Sequence, residues 1–95
     1  MENALLVLDS RDNVAVALRD LKPCERIDAA GGYLVVRNGI RQGHKIATGP
    51  IAKGQAVVKY GVTIGRASAD IAAGEHVHMH NLTSIYLDNE QNNTR

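Results

Sequence analysis

The sequence predicts a small all-β domain, and three observations lead to that prediction. The chain has 95 residues, which is the usual size of one domain. Nine glycines and two prolines divide the chain and leave few intervals long enough for an ordinary helix. Between these breaks lie short runs that are rich in β-branched residues or alternate in polarity, as strands between tight turns do.

The candidate elements follow one another along the chain. Residues 14–18 are the best helical candidate, although this stretch is too short to stand alone as a helix. The strand candidates are residues 33–36, 56–58, 62–64 and 76–80. Residues 89–95 are polar and lack apolar periodicity, so we expect a frayed tail after a single domain that spans residues 1–88.

A weak internal repeat supports the all-β prediction. Its three copies are residues 21–27, 51–57 and 71–77, and each has an aliphatic residue, a turn, a Glu or Gln, and then a strand. The turn ends on glycine in two copies, and on Cys24 in the first. Because glycine adopts a positive φ without steric cost, the Cys24 turn is either right-handed there or strained. The unequal spacing of the copies argues against a solenoid and favours a compact barrel or roll.

Composition and charge exclude several classes of function. The chain is 44% hydrophobic but has no Phe or Trp, so we expect a thin core without a large enclosed pocket. A net charge of +1, with no block of like charges, argues against a nucleic-acid partner. No apolar run approaches the ~20 residues that span a bilayer, and the N-terminus lacks the features of a signal peptide. A single cysteine fits a reducing compartment, so we expect a cytoplasmic protein.

Residues 43–47 form the first candidate site. Gly43 permits a turn or a close backbone approach, His44 offers a titratable imidazole and Lys45 offers a cation. Together these groups could bind a carboxylate or transfer a proton. A solvated turn with an exposed lysine is the alternative interpretation of the same residues.

Residues 76–81 form the second candidate site. On a strand, His76, His78 and His80 would share one face, whereas Val77 and Met79 would face the core. Neighbours on one face lie roughly 6.6–6.8 Å apart, so two imidazoles could tilt onto one metal ion. The outer pair would be about 13 Å apart, so at most two of these histidines are expected to share a metal. A solvent-facing strand that is rich in histidine is the alternative.

Four stretches together resemble one known family. They are DNVAVAL (12–18), GHKIA (43–47), KYGVTIG (59–65) and IAAGEHVHMHN (71–81). The sequence resembles the SAF-type domain of altronate and galactarate dehydratases, which is also found as the small (alpha) subunit of sulfolactate sulfo-lyase. The similarity runs from about residue 9 to about residue 84, in the same order. It implies a β-clip fold of short strands folded back on one another.

The resemblance also implies an activity. Lyases of this family remove water, or sulfite in the sulfo-lyase, from a sugar acid or 2-hydroxy acid, with a divalent metal that is typically iron. Carried over residue by residue, the resemblance implies six site residues with three roles: His44 and Lys45 in catalysis, His76 and Asn81 in substrate binding, and His78 and His80 in metal binding.

We therefore expect the small subunit of a two-component lyase that is inactive alone. The expected partners are a large catalytic subunit, which holds most of the metal ligands, and a sugar acid or sulfonated hydroxy acid. The alternative is a non-catalytic SAF-type module that binds a carbohydrate, a metal or another protein. A homodimer of the isolated chain is compatible with an exposed histidine strand and an aliphatic surface.

Overall fold

The computed structural model of the chain describes residues 4–29 and 32–84. This part of the chain forms nine strands and no helix, which confirms the all-β prediction. The strands are β1 (Leu5–Leu6), β2 (Val14–Ala17), β3 (Arg26–Ala29), β4 (Gly32–Val35), β5 (Lys45–Ala47), β6 (Ala56–Lys59), β7 (Val62–Ala67), β8 (His76–Val77) and β9 (Leu82–Ser84). Accordingly, the described residues contain no helical segment that could cross a membrane.

The strands form three sheets in which all neighbours are antiparallel. A central sheet has the order β1-β2-β5-β8, β3 pairs with β4, and a third sheet has the order β6-β7-β9. In the central sheet Ile46 lies opposite Ala15 on one side and opposite His76 on the other. The central sheet therefore connects the two segments that hold the candidate site residues.

Both faces of the central sheet are buried, each in its own hydrophobic core. Ala15, Ala17 and Ile46 pack into one core together with residues of β3 and β4. Val14 and Ala47 pack into the other core together with residues of β6 and β7. Every buried hydrophobic residue in the described part of the chain is Ala, Val, Leu or Ile. Two thin layers of small side chains thus take the place of one deep core.

The prediction of a helical candidate at residues 14–18 is wrong. Val14–Ala17 is strand β2, which pairs with both β1 and β5. Val14, Ala15 and Ala17 are each at most 1% exposed, so the strand shows no polar alternation. Pairing on both edges overrides the helical propensity of alanine.

The other predicted strands have mixed outcomes. Those near residues 33–36, 56–58 and 62–64 are present as β4, β6 and β7. The strand predicted at residues 76–80 ends early, because β8 contains only His76 and Val77. The predicted domain end at residue 88 and the tail at 89–95 lie outside the described residues.

The internal repeat is structural, and it has four copies rather than three. The fourth copy is residues 40–46, in which His44 occupies the position of the Glu or Gln of the other three. Reciprocal backbone hydrogen bonds join the copies in two pairs, Leu21 with Ile40 at 2.7 and 2.9 Å, and Ile51 with Ile71 at 2.8 Å in both directions. The repeat thus builds two joined pairs of turns.

The Glu or Gln side chain closes the turn in three of the copies. Glu25, Gln55 and Glu75 each accept a hydrogen bond of 2.9–3.0 Å from the backbone N–H three residues earlier. Such side-chain to backbone bonds stabilise turns. His44 occupies this position in the fourth copy, and its ring contacts His76 instead.

Cys24 is held in a strained backbone conformation. Its φ is 69°, and the glycines in the same turn position, Gly43, Gly54 and Gly74, have φ of 85–87°. A left-handed conformation costs a non-glycine residue about 1–2 kcal/mol, so we expect Cys24→Gly to raise the free energy of unfolding by about 1 kcal/mol. Urea denaturation measures this gain.

Cys24→Ala is the control, since it removes the thiol but keeps the strained φ. We expect it to change the free energy of unfolding by no more than about 0.5 kcal/mol. A gain from Cys24→Ala that equals the gain from Cys24→Gly would show that the thiol, and not the backbone, destabilises the turn.

Candidate functional site

Three histidines at the ends of two adjacent strands form the candidate site. His44 immediately precedes β5, His76 opens β8, and His78 immediately follows it. One ring nitrogen from each lies within 4.8 Å of the other two. His44 Nδ1 is 3.0 Å from His76 Nε2, and the three ring centroids are 5.1–5.4 Å apart. We call His44, His76 and His78 the histidine cluster.

The register of the central sheet explains this convergence. Lys45 pairs with Val77 and Ile46 pairs with His76. Continued by one residue, the same register places His78 opposite His44. Residues opposite each other in an antiparallel pair have their Cβ atoms only about 4.5–5.5 Å apart, which is close enough for imidazole rings to stack.

A turn follows β8 and ends the predicted histidine strand. The carbonyl oxygen of His78 accepts hydrogen bonds from the N–H groups of Asn81, at 3.0 Å, and Leu82, at 2.9 Å. Val77 is fully buried as expected, but the expectation that Met79 faces the core is wrong, because Met79 is 82% exposed. Strand alternation fails here because the chain reverses before Met79 can enter the sheet.

The buried side chain of Asn81 stabilises this turn by hydrogen bonds to the backbone. It is 3% exposed, and no other polar or charged residue of the described chain is as deeply buried. Its Oδ1 accepts a hydrogen bond from the N–H of His78 at 2.9 Å, and its Nδ2 donates to the carbonyl oxygen of His76 at 2.9 Å. Both ends of the side chain thus position the histidine segment, whereas substrate binding by Asn81 stays a prediction.

His80 lies at the edge of the cluster. Its ring centroid is 5.6 Å from that of His76, and the residue is exposed. The family resemblance implies His78 and His80 as metal ligands, whereas the three nitrogens that converge belong to His44, His76 and His78. A metal at His80 stays a prediction, and the pairing of β5 with β8 is the signal that sequence reasoning lacked.

The surroundings of His76 favour its neutral form. Burial lowers the pKa of His76 below its usual value, and the charges of His44, His78, His80 and Lys45 lower this pKa further. At neutral pH the ring therefore keeps a free lone pair. This is the form of imidazole that binds a metal ion or accepts a proton.

Lys45 is half-buried on β5 beside the cluster. Strand alternation directs its side chain away from the face of His44 and towards the face of Val16 and Val77. Burial lowers the pKa of Lys45, and the charge of Lys59 lowers it further. In residues 4–29 and 32–84 no carboxylate forms an ion pair with Lys45. A half-buried ammonium group without a carboxylate partner is suited to bind an anionic ligand.

The donor set of the histidine cluster fits a divalent transition-metal ion. Neutral imidazole is a good ligand for zinc, iron, nickel and copper. With metal–nitrogen bonds of about 2.0–2.1 Å, two nitrogens at a right angle around the metal lie about 3.0 Å apart. The nitrogens of His44 and His76 are 3.0 Å apart. Three protein ligands would also leave coordination positions open for a substrate.

Similarity to known proteins extends over almost the whole chain. A family model described as "Altronate/galactarate dehydratase SAF domain" matches residues 3–85. The chain is 45% identical over 85 residues to the altronate dehydratase of Bacillus subtilis (strain 168), a match that covers 90% of this chain and 17% of that protein. It is 48% identical over 80 residues to the altronate dehydratase of Escherichia coli (strain K12), covering 84% of this chain and 16% of that protein.

A shorter match involves a protein that is named as a subunit. The chain is 47% identical over 47 residues to the (2R)-sulfolactate sulfo-lyase subunit alpha of Chromohalobacter salexigens, and the match covers 50% of each chain. The chain thus spans 16–17% of the length of the two dehydratases and half of the length of this subunit.

Proposed function

The chain belongs to the family of altronate/galactarate dehydratase SAF domains, and on this basis we propose that it supplies one wall of a lyase active site. The proposed reaction removes water or sulfite from a sugar acid or a sulfonated hydroxy acid. The convergence of His44, His76 and His78 within 4.8 Å carries this proposal. The names of the relatives, altronate dehydratase and sulfolactate sulfo-lyase subunit alpha, support the substrate class.

Elimination from such an acid poses three chemical tasks. A base removes the proton next to the carboxylate, a cation stabilises the negative charge that develops on the carboxylate, and an acid or metal assists the leaving group. Lys45 is the proposed partner of the carboxylate, because it is half-buried and forms no ion pair in the described residues. Strand alternation directs it away from the face of His44, but its charge still acts on the cluster, since it lowers the pKa of His76. His80 is exposed at the edge of the cluster and lies outside the three converging nitrogens, so we propose it as the proton donor to the leaving group in place of the predicted metal ligand.

The histidine cluster is proposed to bind the divalent metal of the reaction, with iron as the expected ion. The 3.0 Å separation of the nitrogens of His44 and His76 suits two ligands of one metal. Such a metal would supply Lewis acidity towards the carboxylate and the leaving group. The lowered pKa of His76 keeps that ligand unprotonated at neutral pH.

A large partner, or a larger part of one chain, is proposed to complete the site. The segment shared with the two dehydratases is only 17% and 16% of their length, and a third relative is named as a subunit. The described chain has thin cores of small side chains, and its histidine cluster is only partly buried. We propose that the partner supplies the remaining catalytic groups and further metal ligands, so that the isolated chain is inactive.

A non-catalytic metal-binding module is the second candidate function. It is favoured by the fact that the three converging nitrogens all belong to this one chain. In that case the chain alone would bind a divalent metal tightly without any partner.

An assay of the native complex tests both proposals. The chain is purified from its host together with its bound partners and assayed with altronate, galactarate and sulfolactate in the presence of ferrous iron. We expect elimination from one of these acids by the complex and none by the isolated chain. His78→Ala should lower kcat/KM by at least about 10²-fold. Lys45→Met should mainly raise KM, because it removes a charge that binds the substrate.

Lys53→Ala is the control, because Lys53 is an exposed lysine in the copy of the repeat at residues 51–57. It should leave kcat and KM unchanged. Turnover by the isolated chain would contradict the two-component proposal. Zinc or ferrous binding by the chain alone, lost in His78→Ala, with no turnover by any complex, would favour the metal-binding module.

A further inference from the structure

The turn that carries His44 lacks the side-chain support found in the other three turns of the repeat. In those turns the side chain of a Glu or Gln accepts a hydrogen bond from the backbone N–H three residues earlier. His44 provides no such bond to the N–H of Arg41, since its Nδ1 lies 3.0 Å from His76 Nε2. Among the contacts of the described residues, the turn is closed within itself by one backbone bond, from the N–H of His44 to the carbonyl oxygen of Arg41 at 2.9 Å. As in the other turns, the residue in the glycine position also bonds outside the turn, here from the N–H of Gly43 to the carbonyl oxygen of Ala17 at 2.8 Å.

The carboxylate of Asp20, which comes just before the paired turn, is a side-chain acceptor for the His44 turn. Asp20 precedes Leu21, whose backbone pairs with that of Ile40 at the start of the His44 turn. Asp20 Oδ1 accepts a hydrogen bond of 2.8 Å from the N–H of Gln42. Hydrogen bonds to a carboxylate are stronger than those between neutral groups. We infer that Asp20 is a positioning residue of the histidine cluster and acts through the turn that carries His44.

The other pair of turns repeats this arrangement without a histidine. Asp70 precedes Ile71, which pairs with Ile51, and Asp70 Oδ1 accepts a hydrogen bond of 2.8 Å from the N–H of Lys53. Here Gln55 also closes the turn, by accepting from the N–H of Ala52. Loss of Asp70 would therefore leave a second side-chain acceptor in its turn, whereas loss of Asp20 would leave none in the His44 turn.

The geometry of the histidine cluster requires accurate placement of the turn that carries His44. His44 Nδ1 must remain 3.0 Å from His76 Nε2, while the ring of His44 also stacks on that of His78 with centroids 5.1 Å apart. Binding sites of this kind tolerate displacements of only about 0.5 Å. Residues that orient metal ligands typically change metal affinity by about 10–100-fold when they are mutated. This inference deepens the proposed function, but the position of the His44 ring can be measured without any activity.

NMR spectroscopy and zinc titration of the full chain test the role of Asp20. In Asp20→Ala we expect loss of the nuclear Overhauser effect between the rings of His44 and His76, and zinc affinity lower by about 10–100-fold. Asp20→Asn keeps an oxygen acceptor for Gln42 and should restore most of both signals. Asp70→Ala breaks the equivalent bond in the other pair of turns and should leave both signals as in the wild type.

Three outcomes would overturn the inference. They are wild-type ring contacts in Asp20→Ala, an equal loss in Asp70→Ala, and the absence of any rescue by Asp20→Asn. Should Asp20→Ala not fold, Asp20→Glu takes its place, since it keeps the charge but moves the carboxylate, and wild-type ring contacts together with wild-type zinc affinity would then overturn the inference. A wild-type chain that binds no zinc would contradict the metal-binding module, while the ring contacts would still decide the role of Asp20.

Discussion

His44→Gln is expected to stabilise the domain while it abolishes the function of the histidine cluster. In the equivalent position, Gln55 accepts a hydrogen bond of 2.9 Å from the N–H of Ala52. A glutamine in the fourth copy would accept the N–H of Arg41 in the same way. One such hydrogen bond contributes about 0.5–1.5 kcal/mol to the free energy of unfolding, which urea denaturation can measure. Without the imidazole, elimination by the complex should fall by at least about 10²-fold.

His44→Ala is the matched variant for this prediction. It also removes the imidazole, so activity should fall by a similar factor, but it offers no acceptor to the N–H of Arg41 and should bring no gain in stability. Two results would contradict the prediction. A loss of stability in His44→Gln as large as in His44→Ala would show that the fourth turn does not follow the repeat, and retained activity would remove His44 from the proposed site.

Among Gly→Ala substitutions in the described chain, we expect Gly74→Ala to lower the free energy of unfolding most. Gly74 has φ of 85°, and a Cβ atom there would lie 1.9 Å from the carbonyl oxygen of Val35. The substitution therefore combines backbone strain with a clash against the main chain. We expect a loss of at least about 4 kcal/mol in the free energy of unfolding, or failure to fold.

Gly54→Ala separates the strain from the clash. Gly54 occupies the same turn position with φ of 86°, but a Cβ atom there would meet no atom within 4 Å. Strain alone should cost about 1–2 kcal/mol, measured by the same urea denaturation. Equal losses in the two variants would show that the contact with Val35 yields easily and that φ alone requires glycine.

Local sequence signals predicted the fold class well and the central sheet poorly. Turn residues act within a few positions of the chain, so glycine spacing and β-branched runs were enough to predict an all-β domain. Strand β2 was missed because both of its faces are buried, which removes the polar alternation that marks a strand. The fourth copy of the repeat was missed because His44 replaces the Glu or Gln that defined the pattern.

The histidine-rich segments could be recognised as candidate sites from the residues alone, together with the resemblance to the dehydratase family. The geometry of the site could not be predicted in this way, because the side-chain period of two shows only which residues of one strand share a face. The convergence of His44 with His76 and His78 depends on the register between β5 and β8. Val77 of β8 is buried in the same core as Ala47 of β5, which decides the faces that the two strands share, and such long-range packing leaves no local signal in the chain.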